Sequence, residues 1–94
     1  MIRDLPEGQW YGNVERSLEL GGVTLSVIGH PQARTIDLHR HARSYFTLPY
    51  AGRYRETYEG VTIEYEPFSM AFHPADSCIR MSFYPLTVVQ HIAE

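Results

Sequence analysis

Lysine is absent from this chain: all eight basic residues are arginines, and they are scattered rather than gathered into a stripe. With 11 acidic residues the net charge is −3. Nucleic-acid surfaces show a basic excess or a basic stripe, so direct contact with nucleic acid is not expected. Cysteine is almost as scarce. Cys78 stands alone, which excludes an intrachain disulfide, and with no histidine at useful spacing it reads as a small apolar residue. No apolar run approaches the ~20 residues a membrane span needs, and the opening Met-Ile-Arg-Asp-Leu-Pro-Glu lacks the apolar stretch of a signal peptide. The expectation is a cytoplasmic chain with no membrane contact. Repeats, low-complexity tracts and helical periodicity are missing too.

What is present is globular. Hydrophobic residues make up 44% and charged residues 20% of 94, so the chain reads as one domain over 1–94. Residues 1–13, with Pro6, Gly8, Gly12 and Asn13, look like a loose lead-in carrying Trp10 and Tyr11. From Val14 the dominant period is two, the signature of strands. Val14, Leu18 and Leu20 alternate with Glu15, Ser17 and Glu19; after Gly21-Gly22 come Val23, Leu25 and Val27. A Gly-Gly pair between such runs predicts a two-residue hairpin, with Leu20 opposite Val23 and Leu18 opposite Leu25. A second hairpin turns at Glu59-Gly60, pairing Tyr58 with Val61, Tyr54 with Tyr65, Thr57 with Thr62, Arg55 with Glu64 and Arg53 with Glu66. Glu56 is discordant: it falls on the aromatic face beside Ile63, where a position at the barrel rim, in water, is expected. Further strands are predicted over Arg34–His41, Tyr45–Tyr50, Ser69–His73, Arg80–Tyr84 and Leu86–Ile92. Pro49 cannot donate to a ladder and predicts an edge or a bulge. Many short strands with turns between them mean an all-β sandwich or small barrel.

His39 and His41 are the most informative pair. Residues two apart on a strand share a face, so Asp37, His39 and His41 are expected together, with Ile36 and Leu38 opposite. Two imidazoles on one face can take adjacent positions on a transition metal; the same pair on a solvent face is inert. Tyr45, Tyr54, Tyr58 and Tyr65 suit either an aromatic pocket wall or the packing of a small barrel.

The stretch Leu38-His39-Arg40-His41, with Tyr45-Phe46-Thr47-Leu48, Gly52-Arg53-Tyr54 and Phe72-His73-Pro74-Ala75, resembles the cupin superfamily, and within it the N-terminal domain of AraC-type transcription regulators. His39, His41 and Gly52 match the first cupin motif in spacing, but Tyr45 stands where that motif has an acidic residue and Ala33 replaces its opening glycine. In the second motif Pro74 and Ala75 fit, while Asp76 replaces a glycine and Ile79 the histidine. The resemblance implies a double-stranded, jelly-roll-like β-barrel. It also implies a small-molecule-binding and dimerisation module that is not catalytic and lacks the helix-turn-helix DNA reader, with a ligand pocket lined by His39, His41, Tyr45, Tyr54, Glu56 and His73. The alternative is a small metal-dependent enzyme, an oxygenase or isomerase. It would hold a divalent Zn, Ni, Fe or Mn ion on His39 and His41, with Asp37, Glu56, His73 or His91 making up the missing ligands. A homodimer is expected in which the first hairpin, Val14–Val27, or the tail, Leu86–Ile92, covers open strand edges.

Overall fold

The computed structural model describes residues 2–5 and 10–93. Ten strands follow one another: β1 Arg3–Leu5, β2 Asn13–Leu20, β3 Val23–His30, β4 Arg34–His41, β5 Tyr45–Ala51, β6 Tyr54–Tyr58, β7 Val61–Tyr65, β8 Ala71–His73, β9 Ile79–Phe83 and β10 Thr87–Ala93. They form two five-stranded sheets, β1-β4-β9-β6-β7 and β2-β3-β10-β5-β8. Ile28 and Val89 of the second sheet meet Ile36, Tyr54, Ile79, Met81 and Phe83 of the first, with Tyr45 between them. The all-β barrel expected from the alternating pattern is the observed architecture.

Both hairpins fold in the predicted register. Gly21 and Gly22 adopt φ of 55° and 85°, the left-handed pair of a type I′ turn, and set Leu20 against Val23 and Leu18 against Leu25. At the second turn Gly60 has φ 77° and Glu59 is held at φ 49°. Tyr54–Tyr65, Arg55–Glu64, Thr57–Thr62 and Tyr58–Val61 face one another as expected. Arg53 differs: its guanidinium reaches Glu64 at 3.7 Å instead of Glu66.

Three expectations are corrected. Asp37 does not share a face with His39 and His41. The ladder between β4 and β9 shifts between Ile36 and His39, and a bulge of this kind reverses the alternation. Ile36, His39 and His41 therefore all point inward while Asp37 points out, bonded to Arg80 at 2.9 Å. The tail offers no open edge, because β10 lies in the middle of the second sheet, paired to β3 on one side and β5 on the other. Among the described residues the beginning of the chain is held in place: β1 pairs in parallel with β4, Leu5 beside His41, and Trp10 packs onto the core, while Pro6 and Gly8 of the expected lead-in lie outside the described residues. Pro49 sits, as expected, at an irregularity. It faces Val89 where Val88 already faces Ala51, leaving Tyr50 as the extra residue.

Candidate functional site

All five histidines of the chain, His30, His39, His41, His73 and His91, are buried. Four of them gather inside one end of the barrel around Tyr45. β4 delivers His39 and His41, whose rings meet edge to face with centroids 5.2 Å apart. β8 delivers His73, stacked on Tyr45 at 4.3 Å. β10 delivers His91, whose Nδ1 lies 2.9 Å from the Thr47 hydroxyl. Trp10 closes the end of the barrel, stacked on His91 at 4.2 Å and tilted against His41 at 4.6 Å.

Every residue expected to line a pocket is therefore inside: His39, His41, Tyr45, Tyr54, Glu56 and His73 are all buried. Glu56 is a correction, since it was expected at the rim. It is 7% exposed and accepts a hydrogen bond from Nε2 of His73. A carboxylate placed among aromatic rings needs such a partner, because burying it alone is prohibitive. These side chains are brought together, but they fill the space they enclose. The cavity among Trp10, His30, His39, His41, Tyr45 and His91 measures about 10 Å³, the room of roughly one water molecule.

Burial also sets the electrostatics. His41 is pushed down to about 3 by desolvation and then by its neighbours His39 and His73. His91 lies well below the ordinary histidine value for the same leading reason. His39 is lowered by burial, partly offset by its hydrogen bond to the Asp37 carbonyl at 3.0 Å. The Tyr45 phenol is pushed well up by burial and by Glu56. His39, His41 and His91 are thereby biased toward the neutral form.

A metal ion does not fit it. Among the described residues no three His, Cys, Asp or Glu side chains group so as to hold one. One nitrogen of each of three rings is hydrogen-bonded, His39 Nδ1 with the Asp37 carbonyl, His91 Nδ1 with Thr47 and His73 Nε2 with Glu56, and among the described residues the remaining donors do not group in threes. Asp37, a proposed oxygen ligand, is on the outside. The pair His39 and His41 thus shares a face as the spacing implied, and that face is the inner one, where they lie as packed rings.

Sequence reasoning passed over two residues. Trp10 was placed in the lead-in, and no local pattern predicts that it returns to plug the barrel. His30 was not singled out, although period two already carried it: Thr24, Ser26, Ile28 and His30 fall on one face, and Ile28 marks that face as buried.

No protein-family model matches the sequence, and no curated protein matches it. Solved structures do. A cupin superfamily protein from Desulfitobacterium hafniense superposes with a TM-score of 0.70 at 12% identity, covering 89% of this chain and 82% of that one. A cupin-2 domain containing protein from Shewanella frigidimarina gives 0.66 at 11%, covering 89% and 83%. A cupin domain from Bordetella pertussis gives 0.61 at 14%, covering 93% and 99%. Identities this low establish a likeness of architecture, and the architecture of this chain is the cupin double-stranded β-barrel.

Proposed function

We propose that this chain is a non-catalytic dimerisation module that also senses a small molecule, in the manner of the AraC-type domains its sequence resembles. One observation carries the dimer. A single row of paired residues crosses the entire second sheet on its outer side: Leu18, Leu25, Ile92, Phe46 and Phe72. The corresponding row on the inner side is Ser17, Ser26, His91, Thr47 and Ala71. The ordinary pattern, apolar inside and polar outside, is inverted along this row. Phe46 and Phe72 touch, centroids 4.9 Å apart, and both are exposed.

The occupant this face suits is a second copy of itself. Four strands ~4.8 Å apart and seven or eight residues long, with the three-residue β8 beside them, make a face of roughly 500 Å² in projection. Two such faces, with side-chain relief added, exceed the ~1,000 Å² of total burial that a specific interface needs. The first hairpin contributes Leu18 and Leu25, as its exposed edge suggested, and the tail contributes Ile92 through its outer face instead of an edge.

Sedimentation velocity tests the reading. The wild type should run as a dimer at micromolar concentration. Leu25→Glu combined with Ile92→Glu should give a monomer with an unchanged far-ultraviolet circular dichroism spectrum. A sharp monomer peak for the wild type at high micromolar concentration would overturn it.

A further inference from the structure

Each sheet ends in two edge strands, β1 and β7 in the first and β2 and β8 in the second. An open edge presents unpaired backbone groups to other chains, and natural proteins blunt it by shortness, charge, proline or a bulge. Three edges here are blunted in this way: β1 and β8 are three residues long, and β2 is bulged between Val14 and Arg16 and carries Glu15, Arg16 and Glu19. β7, Val61-Thr62-Ile63-Glu64-Tyr65, has no such device. It pairs with β6 without interruption and holds no proline. Its one charge, Glu64, is engaged by Arg53 at 3.7 Å and by the Tyr84 hydroxyl at 2.7 Å.

The hairpin register decides which groups of β7 are open. Residues flanking a two-residue turn form a hydrogen-bonded pair, here Tyr58 and Val61. Val61, Ile63 and Tyr65 therefore bond to β6, and the N–H and C=O groups of Thr62 and Glu64 point away from the sheet. The side chains leave a matching strip. Val61 and Ile63 share the inner face with Tyr54 and Glu56. Glu56 is 7% exposed, yet Ile63 directly opposite it is 49% exposed and Val61 59%. The cover of the barrel ends between β6 and β7, so a strand added beside β7 would bury apolar surface and satisfy the open backbone groups together.

Charge selects the occupant. Glu59 and Glu66 stand exposed at the two ends of the strand, and among the described residues neither pairs with a cation. A second copy aligned antiparallel about Ile63 would set Glu59 next to the partner's Glu66 at both ends, and like charges in such positions are destabilising. A foreign strand with basic ends would instead be attracted at both.

We propose that β7 is a docking edge for an extended segment of another protein, in which apolar and small polar residues alternate between two basic ends. The segment runs antiparallel to β7, its apolar residues beside Val61, Ile63 and Tyr65 and its backbone on Thr62 and Glu64. Its basic ends meet Glu59 and Glu66, roughly 20 Å apart. In strand addition of this kind main-chain bonds supply affinity and alternate side chains supply specificity. The dimer interface lies on the outer face of the second sheet, and the two assignments stand or fall separately.

The test is fluorescence anisotropy with a labelled peptide, Lys-Val-Thr-Val-Thr-Val-Lys, on the wild-type protein. Saturable binding is expected, with slowed amide hydrogen exchange at Thr62 and Glu64. The peptide with glutamate in place of both lysines should bind about tenfold or more weakly, and Glu59→Asn combined with Glu66→Gln should weaken the basic peptide several-fold. N-methylation of the two peptide threonines, whose N–H groups face β7, should abolish binding, whereas N-methylation of the valines, whose N–H groups face away, should not. No saturable binding of the basic peptide would overturn the proposal. So would an acidic peptide held as tightly, or the two methylated peptides binding alike. A dimer that survives Leu25→Glu with Ile92→Glu and is then dissolved by Ile63→Lys would assign the edge to a second copy and overturn it too.

Discussion

Glu56 and His73 depend on each other inside the barrel. Replacing Glu56 with Leu leaves Nε2 of a buried histidine with no partner, and its Nδ1 already has none. A buried group stranded in this way costs about 1–3 kcal/mol. Adding His73→Phe removes the stranded group and restores an apolar ring against Tyr45, so the double variant should recover much of the loss. Urea midpoints of the four proteins give the coupling directly; additive losses would show that the pair is not a unit. At this scale the sequence was partly legible. That His39 and His41 share a face followed from period two; that the face turns inward did not, because it depends on the bulge in β4. Asp37 was misplaced because a bulge is set by the partner strand β9, which lies some forty residues away in the chain and leaves no local trace. Glu56 was visible as a discordant residue, but its partner was not, since His73 comes from the other sheet.

The strands and their turns were the most legible elements, because a hairpin's register is decided within a few residues. The Glu59-Gly60 turn carries a residual cost. Glu59 sits at φ 49°, and the left-handed region costs an ordinary residue on the order of 1–2 kcal/mol. Asparagine tolerates it, and Asn-Gly is the preferred type I′ pair. Glu59→Asn should therefore stabilise the protein by up to about 1 kcal/mol, raising Tm by some 4–8 °C for a chain of this size. Calorimetry reads this; an unchanged or lower Tm would mean that Glu59 makes a compensating contact. Which face of a strand turns inward was harder to read. The alternation in β2 and β3 is clear, yet every residue of β2 is exposed, and in β3 Ser26 is buried while its neighbour Leu25 is only half-buried. Alternation marks two faces but does not say which is the core when a sheet is apolar on both.

For the whole molecule, the buried histidines make acid the weak condition. His30 is pushed down to about 4 by burial and by Arg34, and His41 to about 3; His39 and His91 are lowered as well. In the unfolded chain each titrates near 6.5. Between that value and the folded one the unfolded state binds more protons, so stability rises with pH there. It is complete above about pH 7 and is lost as the pH falls through 6.5 toward the folded values. Each histidine contributes a slope of up to ~1.4 kcal/mol per pH unit, so His30 and His41 alone remove up to about 4 kcal/mol of a stability of ~5–10 kcal/mol between pH 6.5 and pH 5, and His39 and His91 deepen the fall. Thermal melts from pH 8 to pH 4 should show a flat region and then a steep fall, and a Tm unchanged down to pH 5 would contradict this account. The chain's single tryptophan, packed on His41 and His91, offers a fluorescence signal for the same transition.

The central place of β10 has a consequence for how the protein is made. β3 and β5 are joined only through the strand that leaves the ribosome after them, and each keeps an edge unpaired until residues 87–93 emerge. The first hairpin can close early, but the second sheet cannot be completed before residues 87–93 are available. Its completion rests on contacts of long sequence separation, which form slowly. Throughout that interval the nascent chain carries two open edges and the apolar residues Leu25 and Phe46, the kind of exposure that holds a young polypeptide in the care of chaperones.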